Sequence, residues 1–170
     1  MKNVLITGAS SGIGLEIAKT LAKKNFNLVI IANNLARITK AKKQINKINK
    51  NINCHVYLCD LSNLIKAKKI FNKINKDIKI DILINNFGGI SKKSKNDLID
   101  FDELNYVINK NLYCSYLATQ TFIKNMAKSH WGRVVTISSA VNQNYNSELS
   151  YNIAKISQVT LMKNLSTKLK

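Results

Sequence analysis

Proline is absent from all 170 residues, and carboxylates are scarce: nine Asp and Glu stand against 27 Lys and Arg, for a formal charge of +18. Such an excess of base suggests a nucleic-acid partner. The lysines, however, form no single patch with interleaved aromatics. They are spread over stretches such as "KAKKQINKINKNIN", Lys40 to Asn53, rich in Lys, Asn and Ile. These three residues have A/T-rich codons and proline has G/C-rich ones, so a biased genome accounts for the absence and the excess together. No nucleic-acid role is expected. Cysteine is limited to Cys54, Cys59 and Cys114, without C-x-x-C spacing, which excludes a disulfide framework and a zinc site and leaves small buried thiols. His55 and His130 are isolated in sequence, so no metal centre is expected. No apolar run reaches membrane-spanning length, and the N-terminus enters a strand at once, without the apolar region of a secretory signal. The expectation is a cytoplasmic protein with no membrane association.

What is present is 45% apolar residues in a strand–helix rhythm. Predicted strands are Asn3 to Thr7, Asn27 to Ala32, Cys54 to Asp60, Ile80 to Asn86 and Gly132 to Ser139. The second is apolar at every position after Asn27, as a strand buried on both faces would be. Between them lie helical periodicities. Ile13, Ile17 and Leu21 form a stripe in Gly12 to Lys24. Ile38, Ala41, Ile45 and Ile48 form a second. Leu64, Ala67, Ile70, Phe71 and Ile74 form a third, with Ser62 as N-cap. A long helix runs from about Phe101 to Lys128, and another starts at Ser150. No linker divides residues 1–170, so one α/β domain is predicted: a doubly wound, mostly parallel sheet of about five strands with right-handed crossovers.

"TGASSGIG", Thr7 to Gly14, joins the first strand to the first helix. Gly8 permits a tight turn, Gly12 lets the backbone approach a pyrophosphate, and Gly14 allows close helix–strand packing. The helix start offers N–H groups and a positive dipole end to phosphates. In such folds an acid ending the second strand binds the ribose of NAD. Here Ala32, Asn33 and Asn34 stand there, and Arg37 follows on the next turn. Without the acid nothing repels a 2′-phosphate, and the arginine can pair with one. NADP is therefore favoured, with NAD left open and a solvent-facing role for Arg37 as the alternative.

Four features now stand in order: Thr7-Gly8-x-x-x-Gly12-Ile13-Gly14; Asp60 after the third strand; Asn85-Asn86-Phe87-Gly88 after the fourth; and Ser138/Ser139 with Tyr151-x-x-x-Lys155. Together they resemble the short-chain dehydrogenase/reductase family, and most of all its 3-oxoacyl-(acyl-carrier-protein) reductases. The resemblance implies a Rossmann-type fold and hydride transfer between a nicotinamide and a carbonyl or alcohol. It places the cofactor over Thr7, Gly8, Ser10, Ser11, Gly12, Ile13 and Gly14, with Asn33 and Arg37 at the ribose, Asp60 and Leu61 at the adenine, and Asn86 and Gly88 at the sheet centre. Phe87 departs from the alanine usual in that segment. Asn111, Ser139, Tyr151 and Lys155 match the catalytic tetrad, with Asn111 positioning a water that relays protons to Lys155. Ser139 fits the strand "GRVVTISS", whereas counting back from Tyr151 at the usual spacing lands on Ser138. A one-residue deletion within Ala140 to Leu149 reconciles the two counts in favour of Ser139.

By the same resemblance, Tyr151 is the acid–base group, Lys155 favours its phenolate, and Ser139 orients the substrate oxygen. The implied substrate is a small carbonyl compound, carried on acyl carrier protein in fatty-acid synthesis or, alternatively, a sugar, polyol or secondary-metabolite ketone. Family members continue past this helix with two further strands and a segment over the substrate, so the resemblance implies a chain incomplete at its C-terminus, with the fifth strand as a sheet edge. The competing reading is a catalytically impaired nucleotide-binding remnant. The fourth and fifth helices pair between subunits in the family, so a homo-oligomer is a further implied property.

Overall fold

The computed structural model describes residues 1–91, 100–140 and 148–168. In chain order it contains β1 (Asn3–Thr7), α1 (Gly12–Lys23), β2 (Asn27–Ala32), α2 (Leu35–Ile48), β3 (Cys54–Leu58), α3 (Leu64–Asp77), β4 (Ile82–Asn85), α4 (Phe101–Ile108), a π-helical turn (Asn109–Tyr113), α5 (Cys114–Lys128), β5 (Arg133–Thr136) and α6 (Leu149–Lys168). The five strands form one parallel sheet in the order β3-β2-β1-β4-β5. The order reverses between β1 and β4, and in open sheets of this kind ligands bind in the crevice beyond the strand ends at that point.

Side chains of a strand alternate between faces, so β1 feeds two cores at once. Val4 and Ile6 join Leu28, Ile30, Ala18, Ile38 and Ile45 under α1 and α2. Leu5 joins Val29, Ile31, Phe71, Leu83 and Phe122 under α3 and α5. Phe71 and Phe122 meet edge to face with centroids 6.0 Å apart. Each such ring, fully buried, stabilises the fold by roughly 2–3 kcal/mol. Cys54 and Cys114 are buried as expected, and burial pushes their thiols up to about 11 and about 12, so both stay protonated and inert. Among the described residues no helix is long and apolar enough to cross a membrane.

Local chemistry moves several boundaries. Asn63 rather than Ser62 caps α3, its Oδ1 accepting from the Lys66 N–H at 3.0 Å; Ser62 turns back to Asp60, whose Oδ1 accepts from its hydroxyl at 2.7 Å. Ile13 does not belong to the buried stripe of α1. It is 63% exposed, and Gly14, Ala18 and Ala22 form the buried face, because only small residues fit where α1 lies closest to the sheet. The fourth and fifth strands are shorter than predicted, at Ile82–Asn85 and Arg133–Thr136. The long helix is interrupted by the π turn at Asn109–Tyr113. Among the described residues β5 is an edge, with Val135 45% exposed.

Candidate active site

The glycine turn and the end of β4 are clasped across the sheet's switch point. Thr7 is buried, and its Oγ1 donates to the Ile84 carbonyl while accepting from the Asn86 and Phe87 N–H groups, both at 3.0 Å. Asn86 answers with its side chain, Nδ2 donating to the Thr7 and Gly8 carbonyls at 3.0 and 3.1 Å. Gly8 (φ 69°) and Gly12 (φ 54°) occupy the left-handed region that the turn demands. Gly14 has no room for a side chain: an added Cβ would sit 2.5 Å from Asn86 Nδ2 and 2.7 Å from the Gly8 carbonyl oxygen.

This turn suits a phosphate. Ser11, the N-cap of α1, makes no capping bond with its side chain, so the first-turn N–H groups keep their donors for another acceptor. A Cβ on Gly12 would meet nothing within 4 Å, so the backbone is open to a ligand there. The cleft above the turn, about 340 Å³, is lined by Gly8, Ser10, Ser11, Asn33, Arg37, Asp60, Leu61, Phe87 and Gly88 among others. Arg37 lies exposed on the first turn of α2, and its backbone N–H bonds the capping Asn34. Asp60 is oriented by Ser62, while Leu61 is buried beneath. Phe87, partly buried, packs on the core under α3 and α5 and lines the cleft. Ile13 stands exposed at the head of α1. The predicted nucleotide residues around this cleft thus converge from four separate loops.

The second half of the site is built around a lysine. Lys155 is only 4% exposed. Its Nζ donates to the Ile137 carbonyl at 2.9 Å and to Gln158 Oε1 at 3.1 Å, and lies 5.7 Å from the Tyr151 ring centroid. Burial lowers its pKa from 10.5 to about 8. In the apoprotein, stability therefore rises with pH between about 8 and 10.5, where the unfolded chain keeps a proton that the folded chain has released. Below pH 8 the buried charge costs about 3 kcal/mol. Urea midpoints taken in steps over this window should rise more steeply for the natural chain than for Lys155→Met; parallel curves would refute the burial argument.

Asn111, fully buried, sits in the π turn. Its Oδ1 accepts from the Gly89 N–H at 2.9 Å, and its Nδ2 donates to the Gly89 and Val107 carbonyls. Gly88 packs directly on Asn111, where an added Cβ would collide with its Oδ1. Ser138 is exposed and Ser139 half-buried; both have polar partners. They follow the Ile137 that binds Lys155, which puts the serine pair at the lysine's end of β5. Of the stretch Ala140 to Leu149 in which the one-residue deletion is expected, 141–147 lie outside the described residues. The residue missed by the motif reading is Gln158, fully buried, whose Nε2 donates to the Asn111 main-chain carbonyl at 3.1 Å. Its only sequence signal is a polar residue one helical turn beyond Lys155.

Comparison with known proteins finds likeness in sequence and in fold. A sequence model described as short chain dehydrogenase matches residues 2–170. The chain is 33% identical over 169 residues to the 3-oxoacyl-(acyl-carrier-protein) reductase FabG of Buchnera aphidicola subsp. Baizongia pistaciae, which covers 99% of this chain and 67% of the relative. It is 31% identical to the corresponding protein of Aquifex aeolicus, with 97% and 66% covered. The chain thus spans about two thirds of the length of these relatives. Among solved structures, YwfH, described as an NADPH dependent reductase involved in bacilysin biosynthesis, superposes with a TM-score of 0.91 at 25% identity, over 99% of this chain and 66% of that one. A bulky-bulky ketone specific alcohol dehydrogenase from Comamonas testosteroni shares the fold, with a TM-score of 0.90 at 24% identity over 99% and 68% of the two chains. With a family model matching residues 2–170 and the fold shared, the chain belongs to the short-chain dehydrogenase family of oxidoreductases.

Proposed function

We propose that the chain is an NADP(H)-dependent carbonyl reductase acting on a 3-oxoacyl group carried on acyl carrier protein. The observation that carries this reading is the buried Lys155 ammonium beside the Tyr151 ring, at the same end of the sheet as the open glycine turn. The first-turn N–H groups of α1 hold the pyrophosphate, Arg37 pairs with the 2′-phosphate, and Asp60 and Leu61 border the adenine. The bound nicotinamide supplies the hydride. Tyr151 delivers the proton to the substrate oxygen, and Ser139 donates a hydrogen bond that orients that oxygen. Lys155 spends two of its three donors on Ile137 and Gln158, which leaves one for the cofactor ribose. Its charge stabilises the phenolate that remains when the proton has moved.

The named relatives from Buchnera and Aquifex support the acyl-carrier substrate, and the +18 charge suits an acidic carrier. The test is NADPH oxidation with an acetoacetyl thioester, set beside sugars, polyols and simple ketones, together with NADPH titration by fluorescence. Turnover on the thioester supports the reading. Turnover only on the other compounds moves the substrate class, and binding without turnover on any of them leaves a nucleotide-binding protein instead of a reductase. Arg37→Ala should raise the KM for NADPH tenfold to a hundredfold, about the worth of one charge-assisted bond, and leave that for NADH unchanged. Equal effects on both cofactors would remove Arg37 from the phosphate site.

A further inference from the structure

Gln158 stands three residues after Lys155 on α6 and is fully shielded from solvent. Both ends of its amide are committed: Oε1 accepts from Lys155 Nζ and Nε2 donates to the Asn111 carbonyl, each at 3.1 Å. The amide has one workable orientation. Turned over, its N–H groups would face the ammonium and its oxygen would face a carbonyl oxygen, leaving two buried clashes of like polarity. Burying an amide at all costs free energy unless its bonds are made, so a glutamine here without a polar task would be worse than a leucine. Through Nε2 the amide thus reaches Asn111, the residue to which the resemblance gives a relay water.

We propose that Gln158 is a positioning residue for the active-site lysine, tying its ammonium to the π turn that carries Asn111 and so holding it charged beside Tyr151. The proposal rests on the reading of Lys155 as the partner of the Tyr151 acid. The surroundings leave this task to few groups. On α6 the ammonium faces the titratable Tyr151, 5.7 Å from its ring centroid. The end of β5 offers the Ile137 carbonyl, and Gly88 after β4 offers no charge. The π turn offers Asn111, while its Lys110 donates to the Ile90 carbonyl. Among the described residues no carboxylate forms an ion pair with Lys155, and burial alone depresses its pKa. Among the described residues, Gln158 Oε1 and the Ile137 carbonyl are thus the acceptors that replace water around this charge.

The test follows the Lys155 side-chain nitrogen by heteronuclear NMR in the full apoprotein through an alkaline titration. Gln158→Met, of similar length and without an acceptor of comparable strength, should lower the midpoint by about one pH unit. Gln158→Glu, which places a carboxylate on the ammonium, should raise it. An unchanged midpoint in a folded Gln158→Met chain overturns the proposal; if that variant does not fold, a lowered or unchanged midpoint in Gln158→Glu does so. The alkaline limb of carbonyl reduction should move in the same two directions. If the natural chain reduces no carbonyl while the midpoints shift as stated, the proposed function fails and the bridge stands. If it is active and the midpoints stay still, the bridge alone fails.

Discussion

Tyr151→Phe should lower NADPH-dependent carbonyl reduction about a thousandfold while leaving the NADPH dissociation constant and the melting temperature close to those of the natural chain. The magnitude is that of a positioned general acid. Stability is spared because, among the described residues, the Tyr151 hydroxyl has no hydrogen-bond partner, so its removal orphans nothing. The ring itself remains, and with it the 5.7 Å contact with the Lys155 ammonium. A steady-state assay on an acetoacetyl thioester beside a fluorescence titration reads both halves. Near-full activity in the variant would remove the acid–base role. A fall in cofactor binding equal to the fall in rate would reassign Tyr151 to the nucleotide.

Gly14→Ala should lower nucleotide affinity about a hundredfold and destabilise the fold by about 1–3 kcal/mol, although alanine is the better helix former. The new methyl group would press on Asn86 Nδ2 and the Gly8 carbonyl, the two groups that join the turn to β4. Either Asn86 lets go or the head of α1 lifts from the sheet, and in both cases the first-turn N–H groups lose their aim. Gly12→Ala is the instructive comparison. Its Cβ would meet open space, so its cost comes only from backbone handedness at φ 54°, about 1–2 kcal/mol. Calorimetry with NADPH and urea denaturation of both variants separates the two causes. If Gly14→Ala binds as well as the natural chain, close packing is not what that glycine provides.

Much of this architecture is readable from spacing. The run Asn27–Ala32 is buried at nearly every position, as an unbroken apolar strand in the sheet interior must be. The glycine turn stands where a strand meets a helix, and that context, more than the glycines, identifies it. Other features depend on partners far away in the chain. Ile13 keeps the stripe's spacing yet faces solvent, because periodicity does not say which residues are small enough for the closest approach. Ser62 and Asn63 are both good caps, and Asp60 decides between them by taking the serine. The π turn is set by how Asn111 meets Gly89 across 22 positions, a contact no local pattern encodes. Gln158 is invisible for the same reason: its role appears only when Asn111, 47 positions earlier, lies against it.

The Thr7–Asn86 clasp has a consequence for how the chain acquires its shape. It joins residues 79 positions apart, and closing so long a loop comes late relative to local helix formation. During synthesis the glycine turn leaves the ribosome well before β4 does. The turn therefore waits, unable to grip a nucleotide, until the fourth strand docks and Asn86 locks it. In a refolding experiment, recovery of nucleotide fluorescence should lag the return of helical signal.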